Sequence, residues 1–387
     1  GHGRNSRRVS LIECAAMKLA RVLLCICISL VACKRKQAAH TVGLALDVGG
    51  RGDQSFNDGA LRGLEIMAAG QRYTTRGYEP LSDAEVAAAL PADLRERGFP
   101  KLPIPPPLVL SGKAQEDYEP NLQLLVDQGS ELVIAVGFMM EPATRAVAAR
   151  NPNARFLLID SPVLDAHGKP TVVPNVRALV FRENEGSFLA GVLAGKLTSG
   201  KLGFVGGMQL PLIRKFEAGF RAGVRAVNPG AEVLVAYTGT FDDEKKGVEV
   251  GQDLYGRGCD IVFEAAGLDG LGVIKAAQQA GRLVIGVDSD MAHVAPRNVL
   301  TSMVKHVDVA VYLAVKDVLE GKFSGGDVVM GLKEGGVGLS PVGDLVPKAQ
   351  REAALAEVEK ARAQIVSGSL GVPATMDELA KFAAARP

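Results

Sequence analysis

A set of side chains able to hold a ligand recurs at one kind of place in this sequence, the point where an apolar run stops. Asp47 follows the run 41–46, Gly137 and Phe138 follow 132–136, Asp160 follows 156–159, Glu264 follows 261–263, and Asp288 follows 283–287. Carboxylates so placed can accept hydrogen bonds from hydroxyl or N–H groups, and a phenyl ring can lie against a flat ligand. No serine sits in a GxSxG elbow, and His40, His167, His293 and His306 have no metal-ligand spacing. A nucleophile and its base are not assembled anywhere in the chain. The chemistry indicated is binding, with no catalytic residue, no metal and no cofactor.

The elements that must position these residues follow from the same runs. Continuous apolar segments separated by helix-like stretches read as buried parallel strands, and open α/β sheets bind ligands at the carboxyl ends of their strands. A first series holds a helix at 58–69, with Leu61, Leu64 and Met67 at helical spacing, and further helices at 121–128 and 141–150. The segment 71–107 interrupts it. That segment carries a helix at 82–97 opened by a Ser82/Glu85 capping box, then a proline-rich stretch, 101–107, unable to be helix or central strand. It is read as a surface insertion occupying no functional role, ahead of an extended segment at 108–110.

A second series alternates helices at 185–197, 214–227, 243–255 and 272–280 with strands at 201–205, 233–236, 261–263 and 283–287. The expected fold is α/β and two-lobed, each lobe a parallel sheet flanked by helices, with a cleft between. The expected boundaries are lobe 1 at 41–174, lobe 2 at 175–300, and 301–387 as a return to lobe 1 followed by C-terminal segments. In that last part, helices are expected at 307–319 and 348–365.

Composition narrows the class. The chain has 387 residues, 47% hydrophobic and 22% charged, enough for large cores, and its formal net charge of +1 gives no reason to expect nucleic acid. Tryptophan is absent, so each Phe near the strand ends carries more weight. Four of the five cysteines, Cys14, Cys25, Cys27 and Cys33, precede the folded region, and Cys259 alone lies within it, which excludes a disulfide framework or zinc site there.

From Met17 a basic start, an apolar stretch at 22–31 and small residues up to Cys33 read as an export signal, 17–32. That stretch is too short for a hydrocarbon core needing roughly 20 residues. LVAC at 30–33 resembles a lipobox, in which Cys33 would be lipidated and 33–40 would form a tether; an ordinary signal peptide is the alternative. Residues 1–16 have no place in such a signal and read as a non-native or disordered extension.

Three motif-like strings fail on spacing. GKLTSGK at 195–201 precedes its strand and has Leu202 where a P-loop needs Ser or Thr; GLDGLG at 267–272 is not GxGxxG and reads as a turn around Gly267 that lets backbone approach a ligand; RGD at 51–53 is a turn.

A family resemblance rests on LDVGGRGDQSFN (46–57), DYEPNL (117–122), AVGF (135–138), GFVGGM (203–208), FEAGFRAG (216–223), YTGTFD (237–242), AAG (265–267), GVDSD (286–290) and TSMVK (301–305), in this order. The chain resembles the basic membrane protein family of bacterial substrate-binding lipoproteins, which includes purine nucleoside receptors. The resemblance implies a periplasmic-binding-protein fold, a monomer anchored to the membrane through lipid, facing the periplasm or exterior and feeding an ABC transporter permease, with a nucleoside closed between the lobes.

It also directs roles. Asp288 would accept from the vicinal ribose hydroxyls and Lys305 would compensate it; Asn57 would meet the base with donor and acceptor, Asp160 would accept from a base N–H, and Phe138 or Phe263 would stack. Asp47 would shape the first loop or touch ligand, and Phe216 reads as helix packing. Where many members have an aromatic after the SFN string, this chain has Ala60 and Leu61, which puts the nucleoside itself in question. The alternatives are a binding protein for a sugar or another small polar metabolite, and a nucleoside hydrolase.

Overall fold

The computed structural model describes residues 40–382. Two six-stranded sheets form the framework. Sheet one contains β1 (Val42–Leu46), β4 (Leu108–Ser111), β5 (Leu132–Val136), β6 (Arg155–Ile159), β7 (Val176–Phe181) and β13 (Gly326–Met330), in the order β13-β7-β6-β5-β1-β4, all parallel. Sheet two contains β8 (Lys201–Gly206), β9 (Val233–Tyr237), β10 (Cys259–Ala265), β11 (Leu283–Asp288), β12 (Val299–Lys305) and the antiparallel β14 (Val337–Leu339), in the order β14-β12-β11-β10-β8-β9. The central strands β1 and β5 are buried along their whole length, as their unbroken apolar sequences require. β2 (Gln71–Thr74) and β3 (Gly77–Pro80) form a separate hairpin.

The lobe boundaries differ from those expected. β7 belongs to sheet one, so the chain first crosses between Phe181 and Glu183; β12 belongs to sheet two, so it crosses back after Lys305; β13 returns to sheet one and β14 to sheet two. An apolar run reads the same in either sheet, and strand alternation alone carries no sign of which sheet a run joins. The helix Val307–Leu319 does pack on the first lobe, while Lys348–Val366 packs on Glu183–Leu197 of the second.

Close helix approach comes from small residues. A Cβ on Gly191 would lie 2.1 Å from the Phe220 carbonyl oxygen, and one on Gly223 would lie 2.1 Å from that of Phe188. Glycine there lets Glu183–Leu197 and Pro211–Val227 pack backbone against backbone. The first-lobe helix begins as Phe56–Leu61 and continues as a π-helical turn, Arg62–Ala68, in which Ala69 N–H donates to the Leu64 carbonyl.

The insertion is structured throughout. Ser82 and Glu85 form the capping box, but the helix is Asp83–Ala89 and stops at Leu90, which is extended because Pro91 follows; a single further turn covers Ala92–Arg95. It also grips the rest of the first lobe. Tyr78 Oη donates to Glu65 at 2.6 Å, Arg51 meets the same carboxylate with both terminal nitrogens and stacks over Tyr73, and Asp93 pairs with His306 at 3.2 Å.

Candidate ligand-binding site

The carboxyl ends of both sheets face one cavity with about 570 Å³ of empty space, part of it open to solvent. Of the residues singled out from sequence, Asp47, Asn57, Phe138, Asp160, Gly267, Asp288 and Lys305 all line it. Phe263 does not. Its side chain is buried in the core of the second lobe, with its ring 5.7 Å from Phe204 and 5.2 Å from Phe220. Phe263 and Ala265, two residues apart, share one face of the strand, and only Ala265, at the carboxyl end of β10, reaches the cavity rim; Phe263 sits two residues back in the core.

Lys305 ends β12 where the chain leaves the second lobe, and its ammonium is the hub. Nζ is 2.7 Å from Asp160 Oδ2 and 3.5 Å from Asp288 Oδ1, one carboxylate from each lobe, and 4.6 Å from the Phe56 ring centroid. Burial opposes the charge on Lys305, but Asp160, Asp288 and Glu183 together hold its pKa above the ordinary lysine value. Burial raises the pKa of Asp288 more than Lys305 lowers it. Asp160 (φ 71°) and Asp288 (φ 62°) are both left-handed, a conformation that costs a non-glycine residue energy and turns each side chain off its strand end into the cleft.

The first loop supplies the opposite wall. Asp53 accepts from the backbone N–H groups of Ser55, Asn57 and Asp58, fixing the start of the helix, while burial pushes its pKa up to about 7. Asn57 Nδ2 donates to Asp47 Oδ1 at 2.8 Å, and burial pushes Asp47 up to about 6 against the lowering effect of that bond. Three oxygens in this arrangement are buried without a hydrogen-bond partner among the described residues: Asn57 Oδ1, Asp160 Oδ1 and Asp288 Oδ1. Buried acceptors left unpaired are costly, so their clustering in a cavity marks a place for a donor-rich molecule.

Around these acceptors the wall is aromatic and aliphatic: Phe56, Phe138, Phe216, Phe241, Leu212, Ile213 and Val287. Phe138 from the first lobe meets Phe241 from the second edge-on, centroids 6.2 Å apart. No group of three His, Cys, Asp or Glu among the described residues is placed to hold a metal ion.

The profile of the family described as Bmp, ABC transporter substrate-binding protein PnrA-like, matches residues 40–375. The chain belongs to this family. Bmp-family members are substrate-binding proteins of ABC transport, extracytoplasmic and not enzymes. Basic membrane protein B of Borrelia garinii is 38% identical over 229 residues, 58% of this chain and 66% of that protein. The CD4+ T-cell-stimulating antigen of Listeria monocytogenes is 33% identical over 353 residues, 86% of this chain and 88% of that one. A crystal structure of an ABC transporter solute-binding protein from Aeropyrum pernix superposes with a TM-score of 0.70 at 27% identity, covering 88% of this chain and 96% of that one. No helix of the described residues is long and apolar enough to cross a membrane. The export signal and Cys33 lie outside the described residues.

Three rings of the Bmp-family cavity were not assigned to it from sequence. Phe241 follows the end of β9 and obeys the same strand-end logic as Phe138, so that logic, applied once more, would have found it. Phe216 sits in the second turn of Pro211–Val227, whose amphipathic pattern reads as packing; its 2% exposure fits that reading, and yet it borders the cavity. Phe56 lies within the SFN string itself. Ala60 and Leu61 are buried in the core and do not line the cavity, so the missing aromatic after SFN leaves no gap in its wall.

Proposed function

We propose that the cavity binds a nucleoside between the lobes and that the chain, exported through 17–32 and lipidated at Cys33, delivers it to an ABC permease. The observation that carries the ligand class is the set of three buried acceptors without a hydrogen-bond partner among the described residues, Asn57 Oδ1, Asp160 Oδ1 and Asp288 Oδ1, held inside an aromatic wall. A nucleoside matches both halves: vicinal ribose hydroxyls donate to a carboxylate, a base presents N–H groups, and its ring stacks on phenyl faces.

In this reading Asp288 accepts from the ribose and Lys305 keeps its charge compensated. Asp160 and Asn57 meet polar groups of the base or sugar, Asp47 orients Asn57, and Phe56, Phe138 and Phe216 offer faces to the ring. Gly267, with φ 60°, brings backbone to the rim beside Phe241. The lobes close by rotation about the three crossings, and the closed form is what the permease reads.

Isothermal titration with adenosine, guanosine, inosine, cytidine, ribose and riboflavin tests the ligand. Saturable binding of purine nucleosides, with ribose alone weaker by orders of magnitude, is expected. Tighter binding of ribose than of any nucleoside would replace this reading with that of a sugar-binding protein. Cys33→Ser is expected to release the protein from membranes, read by fractionation.

A further inference from the structure

Beyond the cavity, the lobes touch through a second set of polar contacts that reaches no lining residue of the opposite wall. Ser289 Oγ, one residue past Asp288 in the second lobe, donates to the Ser55 carbonyl of the first lobe at 3.0 Å and accepts from Arg62 Nη2 at 3.1 Å. Arg62 is fixed in turn by Asp308, with Nε 2.9 Å from Oδ2, at the start of the helix that follows the Lys305 crossing. At the outer edge His293 Nε2 lies 2.9 Å from Gln54 Oε1, while its Nδ1 is 3.1 Å from the Asp290 carbonyl oxygen. Gln54 is itself left-handed, φ 54°.

We propose that Ser289 with Ser55 and Arg62, and His293 with Gln54, form a latch that holds the lobes closed by protein–protein contacts alone and thereby sets how long the cargo stays bound. Three features carry it. Each contact joins the two lobes, with one partner on either side. None of Ser289, Arg62, Gln54 and His293 lines the cavity. Each side is within a few residues of a ligand-facing group, Asp288 on one and Asn57 on the other, so ordering of those groups and closure of the latch favour one another. Contacts present only in the closed state stabilise it without adding affinity in the open state, and their loss therefore appears in dissociation and hardly in association.

The latch rests on the reading that the lobes part to admit cargo, and its test separates the two. Ser289→Ala and His293→Ala are compared with the unmodified chain by small-angle X-ray scattering without ligand and by stopped-flow dissociation of adenosine. His293 is exposed and Ser289→Ala only removes an oxygen, so circular dichroism is expected to show a native fold for both. Each variant is expected to have a larger unliganded radius of gyration and faster dissociation at unchanged association, roughly fivefold for His293→Ala, which loses one interlobe hydrogen bond, and more for Ser289→Ala, which loses two. Scattering curves that superpose on that of the unmodified chain, together with unchanged dissociation, would overturn the latch. If the unmodified chain does not bind adenosine, the nucleoside reading fails and the scattering comparison alone decides the latch.

Discussion

Replacing Lys305 by Met removes the positive charge from the interlobe hub while keeping a side chain of similar length. In the native chain Nζ lies 2.7 Å from Asp160 and 3.5 Å from Asp288. With an effective dielectric of about 20, those separations correspond to attractions of roughly 6 and 5 kcal/mol, and removal of three charges from water offsets most of it. What the variant loses is the compensation of two carboxylates that stay buried, about 3–5 kcal/mol by comparison with other broken buried pairs.

The loss must depend on pH, and its direction is fixed. Without Lys305 the folded-state pKa of Asp288, already raised by burial, rises further above the unfolded value of about 3.9. An acid with a raised folded pKa is protonated in both states at low pH, and its penalty grows as pH climbs from the unfolded pKa to the folded one. Lys305 itself, whose folded pKa is raised, contributes stability that is fully present below its unfolded pKa and lost only at high pH. Urea denaturation of both chains at pH 4 and pH 7 is therefore expected to show a cost of about 3–5 kcal/mol at pH 7 and a clearly smaller one at pH 4. A cost under about 1 kcal/mol at pH 7, or the same cost at both pH values, would refute the reasoning.

Other perturbations separate the site from its supports. Glu264 is buried behind the cavity, and burial, with Asp288 nearby, pushes its pKa up to about 8; its penalty is absent below about pH 4.5 and complete above pH 8, so Glu264→Gln should match the native chain at pH 4 and exceed its stability at pH 8 by about 2–5 kcal/mol in urea denaturation. Phe56→Ala should weaken purine nucleoside binding at least about tenfold in calorimetry while leaving the weaker binding of free ribose little changed. Phe263→Ala, a core truncation, should instead cost about 3–5 kcal/mol of stability and leave the affinity of the folded fraction intact. Gly63→Ala should lower the melting temperature, because its Cβ would come 2.4 Å from the Asp308 carbonyl oxygen and drive apart the helices that carry Asn57 and follow Lys305.

Much of the site was legible because strand-end residues and their chain order survive any detail of packing. Asp47, Phe138, Asp160 and Asp288 converge as the strand ends require, and Asn57 and Lys305 join them through the family strings. Phe263 was not separable from a cavity residue, since the apolar run stops at Glu264 whereas the strand continues to Ala265, which leaves Phe263 two residues short of the carboxyl end. The lobe boundaries failed for a related reason. β7 and β12 carry Arg177, Thr301, Ser302 and Lys305 among their apolar residues, and only their neighbours, β6 and β11, reveal the sheet each joins. The insertion hid its contacts most completely: Tyr78 and Asp93 lie in a stretch outside the strand–helix alternation, and their partners Glu65 and His306 are distant in sequence or unremarkable alone.

A crystal structure of the chain grown with adenosine tests most directly whether the cavity between the two sheets receives a nucleoside through Asp288 and its neighbours. The ribose hydroxyls are expected within hydrogen-bond distance of Asp288 Oδ1, with the adenine ring against phenyl faces of the cavity wall. Adenosine bound elsewhere, or a cavity filled by rearranged side chains with no ribose contact at Asp288, would contradict it.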